Sequence, residues 1–584
     1  MEKISNKEVS QFSIALIVVI VSILFLFKVL YYSQYGLDFT DEGCNLNWIS
    51  NPWIYNASIS SYGFFYYPMC FLSGGSIVKL RYLNVLITFF LSSMVFFYSL
   101  KNIVERKIAF IAFPFACAGL LIFRPWATLT PDYNSLTCHG MLAVLLSLLI
   151  FREDSRRLIT SGVLLGCGGV VTFIGKPSSA MLLPIFVLIF MTLFRCFSWR
   201  MLWIAASTAI VLLVSFTVYA DGTPFAFIHR FQRGMEKDAI LVCAHTVWEI
   251  FKISPVPLDL AHTILFLLVF IASFFITCLL LFNIKISKSL LNIITLALTC
   301  FSFLIVLGLC SSPQMTIRKD LFSLMFLLFS FGVAASFAYS LALSKQMKIE
   351  AFCRIFAPLS LYVFFNYIYA FGTNYNYWNQ GEGMATLWIL PILELITSFH
   401  QTIDKQKITA FMTTVSAFIL FMAILLINTG MDNPYRQPYA LKHYTGAVAA
   451  LNSAEKIIVS KETENYLVQL QILVKDNGFK SGMPMIDLTG RYPASLYFIG
   501  AKAIGAPWIL GNYAGSLEFA IVTLAAVKNE DLKEAWLLTE PDGPRAIPFA
   551  ALTANDLSLE RDYVLIGSLM NNEGKFRQDI YKPK

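Results

Sequence analysis

Charge is scarce in this sequence. Only 14% of its 584 residues are Asp, Glu, Lys or Arg, against 57% hydrophobic ones, and the mean hydropathy is +0.66. So little polar surface cannot keep the chain in water, which excludes a soluble globular protein and makes the bilayer the solvent of much of it. Histidine is rare, at 6 residues, and the 11 cysteines form no CxxC pair and end at Cys353. Neither a structural zinc site nor a disulfide-stapled C-terminal region is therefore expected. No basic stretch interleaved with aromatics is present, so nucleic acid is not an expected partner. The apolar runs hold almost no ionisable residue near their middles, Glu394 being the main one. That is a poor basis for ion-coupled transport.

Long apolar runs are what the sequence has in quantity. About thirteen of them, roughly 18 residues each and so able to cross the ~30 Å hydrocarbon core, follow one another from 11–32 to 409–428. They include 108–123, 179–195, 289–310 and 384–399. The first run follows Lys3 and Lys7 and has no small-residue cleavage site behind it, so it reads as a retained anchor. Basic residues gather in alternate connections, such as Lys101, Arg106 and Lys107, or Arg152, Arg156 and Arg157. These connections are expected in the cytoplasm, and the net charge of +8 is then a signal of topology. A cytoplasmic N-terminus and an odd number of spans put everything after about Thr429 on the outer side.

That last region opens on "GMDNPYRQPY", which reads as a linker. Short apolar runs in "EKIIVS", "MPMIDL", "EAWLLTE" and "DYVLIGSL" suit strands, and helical patterns lie between them. The expected fold is a polytopic α-helical membrane domain over 1–429, with an amphipathic interfacial first outer loop at 33–81, followed by an exported α/β domain over 430–584.

Polar residues with chemical promise lie in the outer connections. "GLDFTDEG" places Asp38, Asp41 and Glu42 just after the first run. One carboxylate of the adjacent pair is suited to act as a general base while its neighbour orients it or holds a cation, and a divalent cation is left open for that role. Asp38 has only the reading of a solvated loop acid. "RPWATLTPDYNSL" adds Arg124 and Asp132, the latter equally suited to cap the next helix. Lys176 in "GKPSS", Arg230 and Arg233 one helical turn apart, and Arg318 beside Lys319 are counter-charges for a lipid phosphate, or else headgroup contacts. Tyr375, Tyr377, Trp378 and Asn379 offer flat faces and amides to a sugar ring, or else belong to an interfacial aromatic belt. His229 and His245 are weak candidates for metal.

An acid pair in the first outer loop, Asp132 in the second, many spans and an exported terminal domain together resemble the GT-C class of integral membrane glycosyltransferases. Protein O-mannosyltransferases and the lipid A aminoarabinose transferase are distant relatives in that class. The resemblance implies a GT-C-like enzyme of the bacterial inner membrane that takes a sugar from a polyprenyl-phosphate carrier. Asp41 would match the catalytic acid, Glu42 its partner and Asp132 the second-loop acid. The lysine and paired prolines of the aminoarabinose transferases are absent, with "FFYYPMC" standing there, and so is the His-Pro-Pro of the mannosyltransferases. Neither donor nor acceptor carries over from those branches.

The expected activity is transfer of a hexose, with inversion, from undecaprenyl or another polyprenyl phosphate to a periplasmic lipid-linked glycan such as O-antigen or lipopolysaccharide. The rivals are a lipid-linked sugar flippase and a non-catalytic scaffold that binds polysaccharide. Oligomeric state is not legible in the sequence.

Overall fold

The computed structural model describes residues 8–241, 251, 260–282, 324–373 and 377–584, except 102, 105 and 126–128. The expected run at 289–310 lies outside the described residues, as do His245, Arg318, Lys319 and Tyr375. The membrane part is built from α1 (Glu8–Tyr32), α2 (Asp41–Ser50), α3 (Tyr62–Leu72), α4 (Ile77–Leu100), α5 (Tyr133–Glu153), α6 (Leu158–Gly175), α7 (Pro177–Leu193), α8 (Trp199–Asp221), α9 (Pro224–Ile240), α10 (Leu260–Leu281), α11 (Leu324–Leu343), α12 (Ile349–Ala370), α13 (Thr386–Phe399) and α14 (Lys405–Asp432). Among the described residues nine helices are long and apolar enough to cross a membrane. A tenth is formed if Tyr377–Met384 and Thr386–Thr402, bent by 61°, make one span. The chain is a multi-pass membrane protein.

Two expected runs yield shorter apolar helices, Ala109–Phe123 and Pro177–Leu193. At 1.5 Å per residue the 17 residues of α7 reach only about 26 Å, just under the hydrocarbon thickness. Enclosed helices and lipid-facing ones differ plainly. α5 and α14 are surrounded, whereas α8 leaves Trp203, Ile210, Val211 and Val214 exposed, as suits a surface that lipid solvates. Small residues set the closest approach: a side chain on Gly140 of α5 would lie 2.7 Å from the Gly168 carbonyl of α6, and one on Gly168 would lie 2.8 Å from the Gly140 carbonyl. Backbone meets backbone there, the usual device of membrane helix pairs.

Beyond α14 the chain forms a hairpin, β1 (Gly446–Ala449) with β2 (Lys456–Val459), then α15 (Lys461–Asp476). A five-stranded sheet follows from β3 (Pro484–Asp487), β4 (Lys502–Ala503), β5 (Trp536–Thr539), β6 (Tyr563–Met570) and β7 (Arg577–Pro583), in the order β4-β3-β5-β7-β6. β4, β3 and β5 are parallel, and β7 and β6 run antiparallel. α16 (Pro493–Phe498) and α17 (Ser516–Ala525) lie in the crossovers. β3 and β5 are buried at every residue, which fits parallel strands covered on both faces.

One face of the sheet shares its apolar core with the first loop, joining Met485, Trp536 and Leu538 to Phe39, Leu46, Ile49 and Tyr62. Backbone pairing fixes the junction, since Ile458 accepts from Gly36 at 2.8 Å and donates to the Gln34 carbonyl at 2.8 Å. From β3 the chain passes to β4 on one side and then to β5 on the other. The loops after β3 and β5 thus flank a reversal of strand order, where open α/β sheets form a crevice.

Candidate active site

α2 starts where it does because Asp38 caps it. The Asp38 carboxylate accepts from the Thr40 amide (3.2 Å) and hydroxyl (2.8 Å), the Asp41 amide (2.8 Å) and the Glu42 amide (3.2 Å), satisfying donors that a helix start leaves orphaned. Asp38 is 1% exposed, so the expectation of a solvated loop acid is wrong. Burial, with Asp41 adding to it, pushes its carboxyl up to about 7 against the Thr40 donors and Arg436.

The helix then turns the adjacent acids about 100° apart. Glu42 points inward, with its side chain 2% exposed, and Arg81 of α4 clamps both of its oxygens. The Thr130 hydroxyl (2.5 Å) and the Asp38 amide (3.3 Å) complete its shell. Both oxygens of Glu42, expected as a partner of Asp41, are held within the protein by Arg81, Thr130 and the Asp38 amide. These contacts tie α2, α4 and the second outer loop together.

Asp41 remains open, with its side chain 43% exposed. Arg436, in the connection after α14, lies 3.3 Å from its Oδ2 and also donates to the Thr40 hydroxyl. The Tyr435 side chain is a further hydrogen-bond partner of Asp41, and Arg545, on the loop after β5, adds an attractive positive charge. The enclosing walls push the Asp41 carboxyl above its ordinary value, while Arg436, Arg545 and Tyr435 pull it down. No sequence signal singled out Arg436 or Arg545, because both are hundreds of residues from Asp41 in the chain.

Asp132 and Lys176 come together at a second place. Asp132 caps α5 in a reciprocal capping box with Ser135, its Oδ1 accepting from the Ser135 amide at 2.7 Å. Lys176 is buried, donates to the Tyr369 carbonyl at 3.0 Å and lies over the rings of Tyr133 and Tyr369. Burial drags its ammonium down to about 7, opposed by Asp132, and burial raises Asp132, opposed by Ser135, Asn134 and Lys176. Asp132, Asn134, Tyr369, Asn379, Gln380 and Glu382 line a cavity here, closed on one side by a 2.9 Å hydrogen bond from Gln380 to Asn134. Arg124 does not bring an uncommitted charge to it, because Glu382 pairs with it at 2.7 Å.

Arg230 is likewise spent inside the fold. It pairs with Asp221 through Nε and Nη2 at 2.8 and 3.1 Å and donates to the Ser61 hydroxyl at 2.9 Å, tying α9 to α8 and to the first loop. Arg233 is exposed and lines a separate cavity with Trp53, Phe64, Tyr219 and His229. Tyr377 is buried, with its ring between Tyr367 and Trp378 and its hydroxyl on the Val363 carbonyl, and so presents no face to a sugar. Trp378 is half-buried against the helical core, and Asn379 reaches the Asp132 cavity. Among the described residues no three side chains of His, Cys, Asp or Glu converge as a metal site.

The chain matches no family model and no curated protein. Among solved structures it is similar to ArnT from Cupriavidus metallidurans bound to undecaprenyl phosphate, at 11% identity over 97% of both chains with a TM-score of 0.38. Its similarity to the apo state of that protein is of the same order, at 11% identity over 96% of this chain and 97% of that one, with a TM-score of 0.39. Superposition at that level transfers no residue role. The class that this fold itself defines is a multi-pass helical membrane protein with a C-terminal sheet domain seated on its first loop.

Proposed function

We propose that the chain is a GT-C-like glycosyltransferase of the bacterial inner membrane, moving a hexose from a polyprenyl-phosphate carrier to a periplasmic lipid-linked glycan such as O-antigen or lipopolysaccharide. Residues 1–429 form the membrane domain in this reading and 430–584 the periplasmic one. The observation that carries it is the contrast at α2: Asp38 and Glu42 are locked into the fold, and Asp41 alone is open, at the end of the first span and beside a guanidinium. A lipid carrier cannot leave the bilayer, so a base for the incoming hydroxyl belongs at this level.

Asp41 accepts the proton of the acceptor hydroxyl as its oxygen bonds to the anomeric carbon. The carbon–oxygen bond to phosphate breaks, and polyprenyl phosphate departs with the electron pair. Attack opposite the phosphate inverts the anomeric carbon. Carrier phosphate is already a good leaving group, so a base and a cationic environment suffice. Asp132, Asn134, Asn379 and Gln380 line a second polar station, backed by the buried Lys176, whose cavity suits a sugar or acceptor hydroxyl.

A flippase needs uncommitted polar groups within its helices, and Glu394 is not one. Arg152 grips both of its oxygens at 2.9 and 2.8 Å and the Tyr362 hydroxyl adds a third contact. The test is transfer of a labelled hexose from synthetic undecaprenyl-phosphate hexose by the purified full chain, with mass analysis of surface polysaccharide from cells with and without it. Unchanged polysaccharide together with no transfer from any carrier-linked hexose would overturn the reading. A reporter fused after Lys584 should be active only outside the cytoplasm.

A further inference from the structure

A cavity of about 680 Å³ lies where the first loop, the end of α8 and α9 meet, and the chemistry assigned to Asp41 makes no use of it. Its volume is that of a small-ligand site. Trp53, in the single helical turn Pro52–Ile54 that follows α2, forms one wall. The residue is 48% exposed, yet three rings hold it at near right angles: Tyr67 at 4.6 Å, Phe64 at 5.6 Å and Tyr219 at 5.7 Å between centroids. The C-terminal domain braces the same stretch. The Tyr55 hydroxyl donates to the Ala503 carbonyl at 2.9 Å, and the Asn56 side chain donates to the Ala526 carbonyl at 3.2 Å. An indole so fixed, and open elsewhere, offers the C–H face of a sugar ring a platform at little cost in side-chain entropy.

Another wall is polar. His229 and Arg233 stand one turn apart on α9, so they share a face, and both line the cavity. Arg233 is exposed and pairs with no carboxylate among the described residues. Arg230 is different, being neutralised by Asp221 and placed over the rings of Phe64 and Phe227, which makes it a fixed wall. Phe225 and Ile228 are exposed on the adjoining stripe of α9, as suits a helix lying on the membrane surface. The cavity also adjoins the end of α8, a lipid-facing span, which puts it at headgroup level. α2, ten residues and so about 15 Å long, begins at Asp41 and ends just before the turn that carries Trp53.

The geometry points to this cavity as a binding site for an acidic saccharide, a part of the lipid-linked acceptor held about one helix length from the reacting hydroxyl. The inference rests on the reading of the chain as a glycosyltransferase. Trp53 stacks on a sugar face, Arg233 takes an acidic substituent in two-point hydrogen bonds, and His229 adds a polar contact. Carboxylate and phosphate substituents share this chemistry. Contacts so far from the reacting centre serve to hold a long acceptor in place.

The test is calorimetric binding to the purified full chain in neutral detergent. The probes are polysaccharide released by mild acid from the lipopolysaccharide of cells that carry the protein, its carboxyl-reduced form, its dephosphorylated form, and phosphatidylglycerol. Trp53→Ala and Arg233→Gln should each weaken binding of the native polysaccharide by about tenfold, Trp53→Phe should recover part of the loss, and exposed Lys480→Gln should change nothing. The stripped form that no longer responds to Arg233→Gln identifies the acidic group, and equal loss with both stripped forms removes the anion contact. An unaltered elution profile and melting temperature establish folding, and Arg233→Gln, at the surface, decides the matter if Trp53→Ala misfolds. The site is overturned if folded variants bind the polysaccharide like wild type, if wild type binds none of it, or if only phosphatidylglycerol binding responds. Hexose transfer separates the two readings. Polysaccharide binding through Trp53 and Arg233 without transfer keeps the site and removes the transferase, whereas transfer whose acceptor half-saturation is unmoved by Arg233→Gln keeps the transferase and removes the site.

Discussion

Arg81 holds Glu42 in a two-point clamp, Nε to Oε1 at 2.9 Å and Nη2 to Oε2 at 2.7 Å, and spends its remaining donors on the carbonyls of Ser33, Tyr35 and Gly36. A buried ion pair so fully satisfied fixes geometry, and breaking it leaves an uncompensated charge at a cost of about 3–5 kcal/mol. Arg81→Met and Glu42→Gln should therefore reduce the yield of folded protein and its melting temperature. The double variant Arg81→Met/Glu42→Leu should be better folded than Arg81→Met alone. A Glu42→Gln protein with normal stability and no turnover would return Glu42 to a chemical role.

Asp38 should matter through the helix start. Replacing Asp38 by Ala removes the acceptor for three amides and the Thr40 hydroxyl, at about 1–2 kcal/mol or more for a buried cap. Asp38→Asn keeps one acceptor oxygen and should lose less. Thermal unfolding in detergent compares the two, and equal stability of Asp38→Ala and wild type would count against the cap.

Asp487, at the end of β3, supplies a pH signature. Burial pushes its carboxyl up to about 6, Glu540 adds to this, and the Thr489 donors oppose it. An unfolded Asp titrates near ~3.9, so the folded chain holds the proton more tightly. The stability linked to that proton is complete below about pH 4 and is lost as pH rises through 6, amounting to about 2–3 kcal/mol. Asp487→Asn should flatten this part of the profile between pH 4.5 and 7. An identical slope in variant and wild type would exclude Asp487 as its source.

The helices were legible because bilayer thickness demands long apolar runs, and β2, β3, β5 and β6 because their short apolar stretches stand out. β7 did not: Arg577, Gln578, Asp579 and Lys582 obscure its pattern, and pairing with β5 and β6 on its two sides makes it a strand. Adjacency in "DE" suggested two acids working together, whereas helical twist sends one inward and one outward. Asp38 looked like loop filler since nothing in a sequence distinguishes a buried cap from a solvated acid. Arg436 and Arg545 became visible only when folding brought the linker and the sheet loops to α2.

Catalysis should depend most on Asp41. Asp41→Asn keeps the size of the side chain and, because Asp41 is half-exposed and contributes little to the cap, should leave folded yield unchanged. Loss of a general base should lower turnover by about 100-fold or more, read as hexose transfer at saturating donor. The working form is the carboxylate, so the rate should fall with acid, with a midpoint above that of an ordinary Asp because the surrounding walls raise its proton affinity. Arg436 pulls the other way. Arg436→Gln removes a charge that favours the carboxylate, so the acid limb of the normalised pH–rate profile should move to higher pH, even as the rate itself drops. A folded Asp41→Asn protein with full transfer activity, or an acid limb that stays in place without Arg436, would show that another group takes the proton.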